Sequence, residues 1–227
     1  ISNLAGDVQD FSDNDFIIFS IPQDIWTTTF AGGVGNSVQQ TTDGGYIIAG
    51  NNMDGYDDVL LIKTDSQGQE EWLHTWEGEP WAEGRSVQQT TDGGYIVAGA
   101  KNLGDNYYLD DFHVWLIKTD SNGNETWNHT FGVDSSLTDG VITTSYGYSV
   151  QQTSDGGYII TGSTTAAIVE NYGYADTVAV DQTNLLLIKT DSNGNEEWFK
   201  IFGGNGYEDM DVGYSVQQTT DGGYIIA

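Results

Sequence analysis

The chain has no cysteine, only two prolines, and six basic residues against thirty-four acidic ones among its 227 residues. Each scarcity removes a class of explanation. Without cysteine there is no disulfide framework, no thiolate nucleophile and no cysteine-ligated metal. A formal net charge of −28 sets up a long-range field that repels nucleic acid and anionic membrane surfaces. No apolar run approaches the roughly 18 residues that a membrane-spanning helix needs. The three histidines, His74, His113 and His129, lack the H-x-H or H-E-x-x-H spacing of zinc sites and read as ordinary strand residues. The glycine run Gly203-Gly204-Asn205-Gly206 is not followed by a helix bearing a lysine, so it reads as loop rather than phosphate cradle. The chain starts at Ile1 without an initiator methionine or a signal-like segment, the pattern expected of a processed chain or a fragment.

What is present is repetition. Ser-Val-Gln-Gln-Thr begins at Ser37, Ser86, Ser149 and Ser215, each time followed by Asp-Gly-Gly-Tyr-Ile, at separations of 49, 63 and 66 residues. Periods of this length mark propeller blades or solenoid turns. In the second full repeat, strands are expected over Ser86 to Thr91, Tyr95 to Gly99, His113 to Thr119 and Glu125 to Phe131. Asp92-Gly93-Gly94 and Asp120-Ser121-Asn122-Gly123-Asn124 supply hairpin turns that require positive φ. Four-stranded antiparallel units repeated about an axis make a β-propeller, so the expected fold is all-β, one domain over 1–227. The expected units are a half-blade 1–36, blades 37–85, 86–148 and 149–214, and a half-blade 215–227. The strand pair Phe16 to Ile21 and Ile25 to Phe30 would complete the last blade and close a four-blade ring. The other readings are a part of a larger ring, or halves that complete a neighbouring subunit.

The blocks Ser215-Val-Gln-Gln-Thr-Thr-Asp-Gly-Gly-Tyr-Ile-Ile and Leu187-Ile-Lys-Thr-Asp-Ser-Asn-Gly-Asn-Glu-Glu-Trp198 resemble the repeats of a broad group of secreted and cell-surface β-propeller proteins of archaea and bacteria. The resemblance covers nearly the whole chain. It implies the propeller fold and an extracellular setting, and says little about activity. The turn also resembles the Asp-box hairpin of sialidase-like propellers, with a different Asp position and one more residue before the Trp. Those enzymes clamp a carboxylate with three arginines, and Arg85 is the only arginine here, so a standard sialidase is excluded.

The turns at Asp65, Asp120 and Asp191 lead to Trp72, Trp127 and Trp198. Structural use is the favoured reading, with the glycine making the turn and the tryptophan packing between blades. Calcium is the one cofactor these turns suggest, because Asp, Asn and carbonyl oxygens are hard-ion ligands; no cofactor is required. Two glycosylation sequons fall in one region, at Asn124 and Asn128. The acid pairs Asp57/Asp58 and Asp110/Asp111 and the group Glu208/Asp209/Asp211 have glycosidase-like composition; among so many acids a solvated surface is the favoured reading. The glutamine pairs Gln39/Gln40, Gln88/Gln89, Gln151/Gln152 and Gln217/Gln218 are expected to send one amide each toward the axis, as packing.

Length variation is confined to the segments Asn51 to Asp58, Ala100 to Phe112 and Ser163 to Asn184, and to Glu77 to Arg85, Gly132 to Tyr148 and Gly203 to Tyr214. All emerge at one end of the blades, so that face is the expected binding surface. Its candidate residues are Asp57, Asp58, Trp81, Tyr107, Tyr108, Asp110, Asp111, Tyr172, Tyr174, Asp176, Tyr207, Glu208 and Asp209. Rings beside carboxylates suit sugars, cations or a protein interface. The expectation is a non-catalytic extracellular or cell-surface module for adhesion or for assembly of a surface layer or filament. Its partners would be protein subunits, further copies of itself or surface glycans, with no nucleic acid and no transmembrane segment. The alternative is a secreted carbohydrate-binding or carbohydrate-active protein using the same face.

Overall fold

The structure, a computed structural model, describes residues 28–30, 33–52, 58–77, 81–104, 111–132, 141–170, 176–177, 183–203 and 210–227. These residues form no helix; they form antiparallel sheets that follow one another along the chain. The first sheet is β1 (Gly33–Gln40), β2 (Tyr46–Asn52), β3 (Asp58–Thr64) and β4 (Glu70–Trp76), in spatial order β1-β2-β3-β4. The second repeats it with β5 (Ala82–Gln89), β6 (Tyr95–Asn102), β7 (Phe112–Thr119) and β8 (Glu125–Phe131). The third has β9 (Val141–Gln152), β10 (Tyr158–Glu170), β12 (Thr183–Thr190) and β13 (Glu196–Phe202), with the short β11 (Asp176–Thr177) added to β10. β14 (Val216–Gln218) and β15 (Tyr224–Ile226) form a two-stranded last sheet. The expected pair Phe16 to Ile21 and Ile25 to Phe30 lies outside the described residues except for 28–30, which are not strand.

The third unit departs from expectation. Gly132 to Tyr148 and Ser163 to Asn184 were expected as variable loops, yet β9 begins at Val141 and β10 continues to Glu170. Val141-Ile-Thr-Thr pairs with Thr165-Ala-Ala-Ile, and β-branched residues on both strands suit a continued ladder. The Ser145 and Thr164 hydroxyls hydrogen-bond across it at 2.9 Å. The other inner strands also start earlier than expected, at Gly33 and Ala82.

Sheets pack face to face. One face of the first sheet (Ile47, Ala49, Val59, Leu61) meets Val87, Tyr95, Val97, Trp115 and Ile117 of the second. Ile96, Ala98, Val114 and Leu116 then meet Val150, Tyr158, Ile160, Leu186 and Ile188. Ile159 and Leu187 meet Val216, with Tyr224 and Ile226 beside them. Both faces of a middle sheet are therefore buried, which is why its strands read as near-continuous apolar runs; β7 is buried at every position. The expected tryptophan packing is present: Trp72 meets Tyr95 edge-on at 5.7 Å, Trp127 meets Tyr158 at 5.7 Å, and Trp198 meets Tyr224 at 6.0 Å.

The β3–β4 type turns close against the preceding sheet. Gly123 has φ of 80°, and a Cβ there would lie 2.5 Å from the His74 ring and 2.8 Å from Trp72. Gly194 repeats this against His129 and Trp127. The His74 and His129 Nε2 atoms sit 3.1 Å from the Asn122 and Asn193 carbonyl oxygens, as N–H donors to the next sheet's turn. These two histidines are inter-sheet clamps, a role their strand positions alone did not disclose.

Candidate functional site

The two ends of each sheet are built differently. At the Asp-Gly-Gly end a buried lysine ties the turns together. Lys63 Nζ lies 2.9 Å from Asp43, 2.8 Å from Glu71 and 2.8 Å from the Thr64 carbonyl. Lys118 binds Asp92 at 2.9 Å and the Thr119 carbonyl at 2.7 Å, and Lys189 binds Asp155, Glu197 and the Thr190 carbonyl. The Asp43 carboxyl is lowered to about 2, first by the Thr41 hydroxyl and then by Lys63. For Asp155, also about 2, the Thr153 hydroxyl is the leading cause. At Asp92 burial pushes the other way, but Lys118 and the Thr90 hydroxyl outweigh it and hold the group at about 2.

The glutamines at this end do not point at an axis. Adjacent strand residues face opposite sides, and each side of an inner strand is a neighbouring sheet. Gln39 Oε1 accepts the Gln89 N–H at 2.6 Å, while Gln89 Oε1 reaches back to accept the Thr42 N–H at 2.8 Å. Gln88, Gln152 and Thr91 repeat the pattern, as do Gln151, Gln218 and Ser154. Ser37, Ser86 and Ser149 Oγ accept the N–H groups of Val87, Val150 and Val216, each at 3.2 Å. The repeated Ser-Val-Gln-Gln is thus an inter-sheet staple, correcting the expectation of one axial amide per pair.

The residue before each Ser-Val-Gln-Gln behaves differently. Pairing shifts register between Gly35 and Ser37 and between Gly84 and Ser86, leaving Asn36 and Arg85 as bulge residues. Tyr148 is skipped in the same way between Gly147 and Ser149. In the last sheet the N–H groups of Tyr214 and Ser215 both donate to the Ala227 carbonyl, at 2.8 and 3.1 Å, two residues against one. The glycines opposite make room: a Cβ on Gly50, Gly99 or Gly162 would lie 1.8 Å from the Val34, Glu83 or Tyr146 carbonyl oxygen.

These four bulge residues line one open cavity of about 360 Å³, together with Glu83. Arg85 forms an ion pair through Nε with Glu83, which is buried. Its guanidinium carbon sits 4.6 Å from the Tyr148 ring and 5.2 Å from the Tyr146 ring. Rings continue on both sides: Tyr148 to Tyr214 at 5.3 Å, and Tyr146 to Phe112 at 5.1 Å, stacked. Asn36 Nδ2 donates to the Gly84 carbonyl at 2.9 Å. The cavity joins a planar cation with N–H donors beyond Nε, a carboxylate, an amide and an exposed tyrosine.

The site residues expected from sequence fare unevenly. Asp57, Tyr107, Tyr108, Asp110, Tyr172, Tyr174, Tyr207, Glu208 and Asp209 lie outside the described residues, and of Asp176 only the backbone pairing with Glu170 is described. Trp81 packs edge-on against Phe112 at 5.0 Å, placing it at the end of the aromatic row. Asp111 holds His113 at 3.1 Å and closes the β6–β7 connection through backbone bonds. Asp58 opens β3, paired with Asn52.

The proposed metal positions have other uses. Asp120 Oδ1 accepts the N–H groups of Asn122 and Asn124, and its Oδ2 takes the Asn124 amide; Asp191 does the same with Asn193 and Asn195. Asp65 accepts from Gln67 and Gln69. Among the described residues no group of three or more His, Asp or Glu gathers to hold a metal ion. Both sequon asparagines are exposed, and their amides are engaged. The Asn124 amide binds Asp120, the Asn128 amide donates to Glu125 at 2.6 Å, and the Asn128 oxygen accepts the Trp115 indole N–H at 3.0 Å.

No protein-family model and no curated protein matches the chain. Among solved structures it is similar to a protein of unknown function from Bacteroides caccae, with 13% identity and a TM-score of 0.41, over 89% of this chain and 73% of that one.

The bulge cavity was not singled out by sequence reasoning, though a signal existed. Within Gly-x-Ser-Val-Gln-Gln, x is Asn36, Arg85, Tyr148 and Tyr214, a varying position set directly against a constant block.

Proposed function

We propose that the chain is a non-catalytic adhesion module of the β-propeller type, working outside the cell and holding a neutral carbohydrate at its bulge cavity. One observation carries this reading: four equivalent positions, holding an asparagine, an arginine and two tyrosines, converge on one cavity, while the constant positions around them serve packing. Convergence of equivalent residues from four successive units is what rotation about a common axis produces.

The chemistry selects the ligand class. Glu83 offsets the charge of Arg85, and a net charge of −28 disfavours anionic ligands. A donor and acceptor side by side suit vicinal sugar hydroxyls, and the exposed Tyr214 ring suits the apolar face of a pyranose. Surface glycans are the corresponding partners.

The test is a glycan array carrying neutral, sialylated and sulfated glycans, followed by calorimetric titration of the best neutral oligosaccharide. Binding to neutral glycans is expected, with Tyr214→Ala and Arg85→Gln each weakening it about 10-fold or more, the scale of one lost charged hydrogen bond or stacking contact. Both variants should keep the wild-type circular dichroism spectrum. Preference for anionic glycans, or affinity indifferent to both substitutions, would refute the reading.

A further inference from the structure

The three buried lysines of the turn end do not have the same partners. Lys63 and Lys189 each meet two carboxylates: Asp43 at 2.9 Å and Glu71 at 2.8 Å, and Asp155 and Glu197 both at 3.0 Å. Glu71 and Glu197 are skipped in strand pairing, directly before Trp72 and Trp198. Thr126 holds the equivalent place before Trp127. It carries no carboxylate, and its hydroxyl donates to the Lys118 carbonyl at 3.1 Å. Among the described residues Lys118 therefore meets one carboxylate, Asp92, whose two oxygens it contacts at 2.9 and 3.1 Å.

This difference opens on a cavity. Lys118, Thr126, Asp92 and Asp120 line a space of about 570 Å³ together with the Trp127 and Tyr158 rings. The Lys118 side chain is 6% exposed, so a group that meets its ammonium does so largely out of water, where a charged hydrogen bond is stronger. Glu71 and Glu197 show that a carboxylate fits beside such a lysine, and their side chains are 47% exposed, so the position can be reached from solvent. A free anion is opposed by the net charge of −28. A ligand that carries its own cation is not, and Asp120 offers that cation a partner. Its carboxylate accepts three N–H groups, from Asn122 and twice from Asn124, of the about four it can take.

We propose that this cavity binds a small zwitterion, a carboxylate joined to an ammonium as in amino acids, at the opposite end of the strands from the bulge cavity. The ligand carboxylate takes the place beside Lys118 that Glu71 and Glu197 take beside their lysines. Its ammonium lies against Asp120, and the carbon chain between them runs along the Trp127 ring. The site stands independently of the carbohydrate reading.

Nuclear magnetic resonance titration of isotope-labelled protein, followed at the Trp127 indole N–H in about 0.15 M salt, tests it. The probes are glycine, β-alanine and γ-aminobutyrate, whose charges are spaced progressively wider. At least one should bind saturably with a Kd of about 1 mM. Propionate and propylamine, with one charge each, should bind about 10-fold or more weakly, the scale of one lost charged hydrogen bond. Thr126→Glu places the chain's own carboxylate on Lys118 and should abolish binding. Glu71→Thr makes the converse change and should create a second site, read at the Trp72 indole N–H. Circular dichroism verifies that both variants fold. The proposal is overturned by no saturable shift with any of the three zwitterions, by equal binding of propionate, by binding that survives Thr126→Glu, or by no second site in a folded Glu71→Thr.

Discussion

The turn end and the bulge end of the sheets are made from the same strands, yet they carry opposite kinds of information. At the turn end Lys63, Lys118 and Lys189 sit in equivalent places, each on the Asp of its Asp-Gly-Gly turn and the following Thr carbonyl, and the Ser-Val-Gln-Gln staples recur with the same distances. Directly before each staple, at the bulges, equivalent positions hold an amide, a guanidinium and two phenols around one cavity. Identity is retained where each unit must meet the next in the same way. Difference is admitted where a bulge lifts one side chain out of the ladder, so that its identity no longer affects pairing.

The largest expected effect comes from disabling all three turn locks at once with acid. Asp43, Asp92 and Asp155 are held at about 2 in the folded protein, against about 3.9 in an unfolded chain. The unfolded state therefore binds more protons in between. The stabilisation is fully present above about pH 4 and is lost as pH falls toward about 2. Protonating the other acids relieves self-repulsion and works in the opposite direction. The informative quantity is thus the difference in urea midpoint between wild type and a D43N/D92N/D155N triple variant. The gap should be wide at pH 6 and close by about pH 2; a gap independent of pH would show that the carboxylates do not act through their charge.

Breaking one lock comes next. Lys118→Met removes a buried ammonium and leaves Asp92 and the Thr119 carbonyl without it. A fully buried orphan costs about 3–5 kcal/mol. The Asp92 side chain is 62% exposed and can rehydrate, so about 2 kcal/mol is expected here from the same comparison. Equilibrium denaturation measures it, and a loss below about 0.5 kcal/mol, the scale of neutral surface substitutions, would mean that the lysine is a bystander.

Much of the scaffold was legible in the sequence, and the reasons are local. Asp-Gly-Gly and Asp-Ser-Asn-Gly fixed where hairpins turn, and β8 has the expected bounds, Glu125–Phe131. The constant Ser marks no strand start: pairing continues beyond it through the bulge to Gly33, Ala82 and Val141. A bulge is a matter of register between two strands, and neither strand's composition announces it. The glutamine roles were misjudged because alternation was referred to inside and outside, whereas a sheet packed on both faces has two insides. The cavity is hard to see in the sequence for a related reason: rings and acids crowd the long loops, whereas its signal is a single varying position inside a constant block.

The smallest predicted effect separates a part-buried staple from its exposed counterpart. Gln88→Ala removes the acceptor of the Gln152 N–H, a 2.6 Å bond in a partly buried setting, and should cost about 1–1.5 kcal/mol. Gln217 is the last residue in that series after Gln151, and its side chain is exposed. Gln217→Ala should therefore change the monomer's stability by no more than about 0.5 kcal/mol, measured by chemical denaturation at low micromolar concentration. Equal costs at the two positions would mean that the glutamine serves its own strand. Unequal costs mean that its contribution comes from the sheet it reaches.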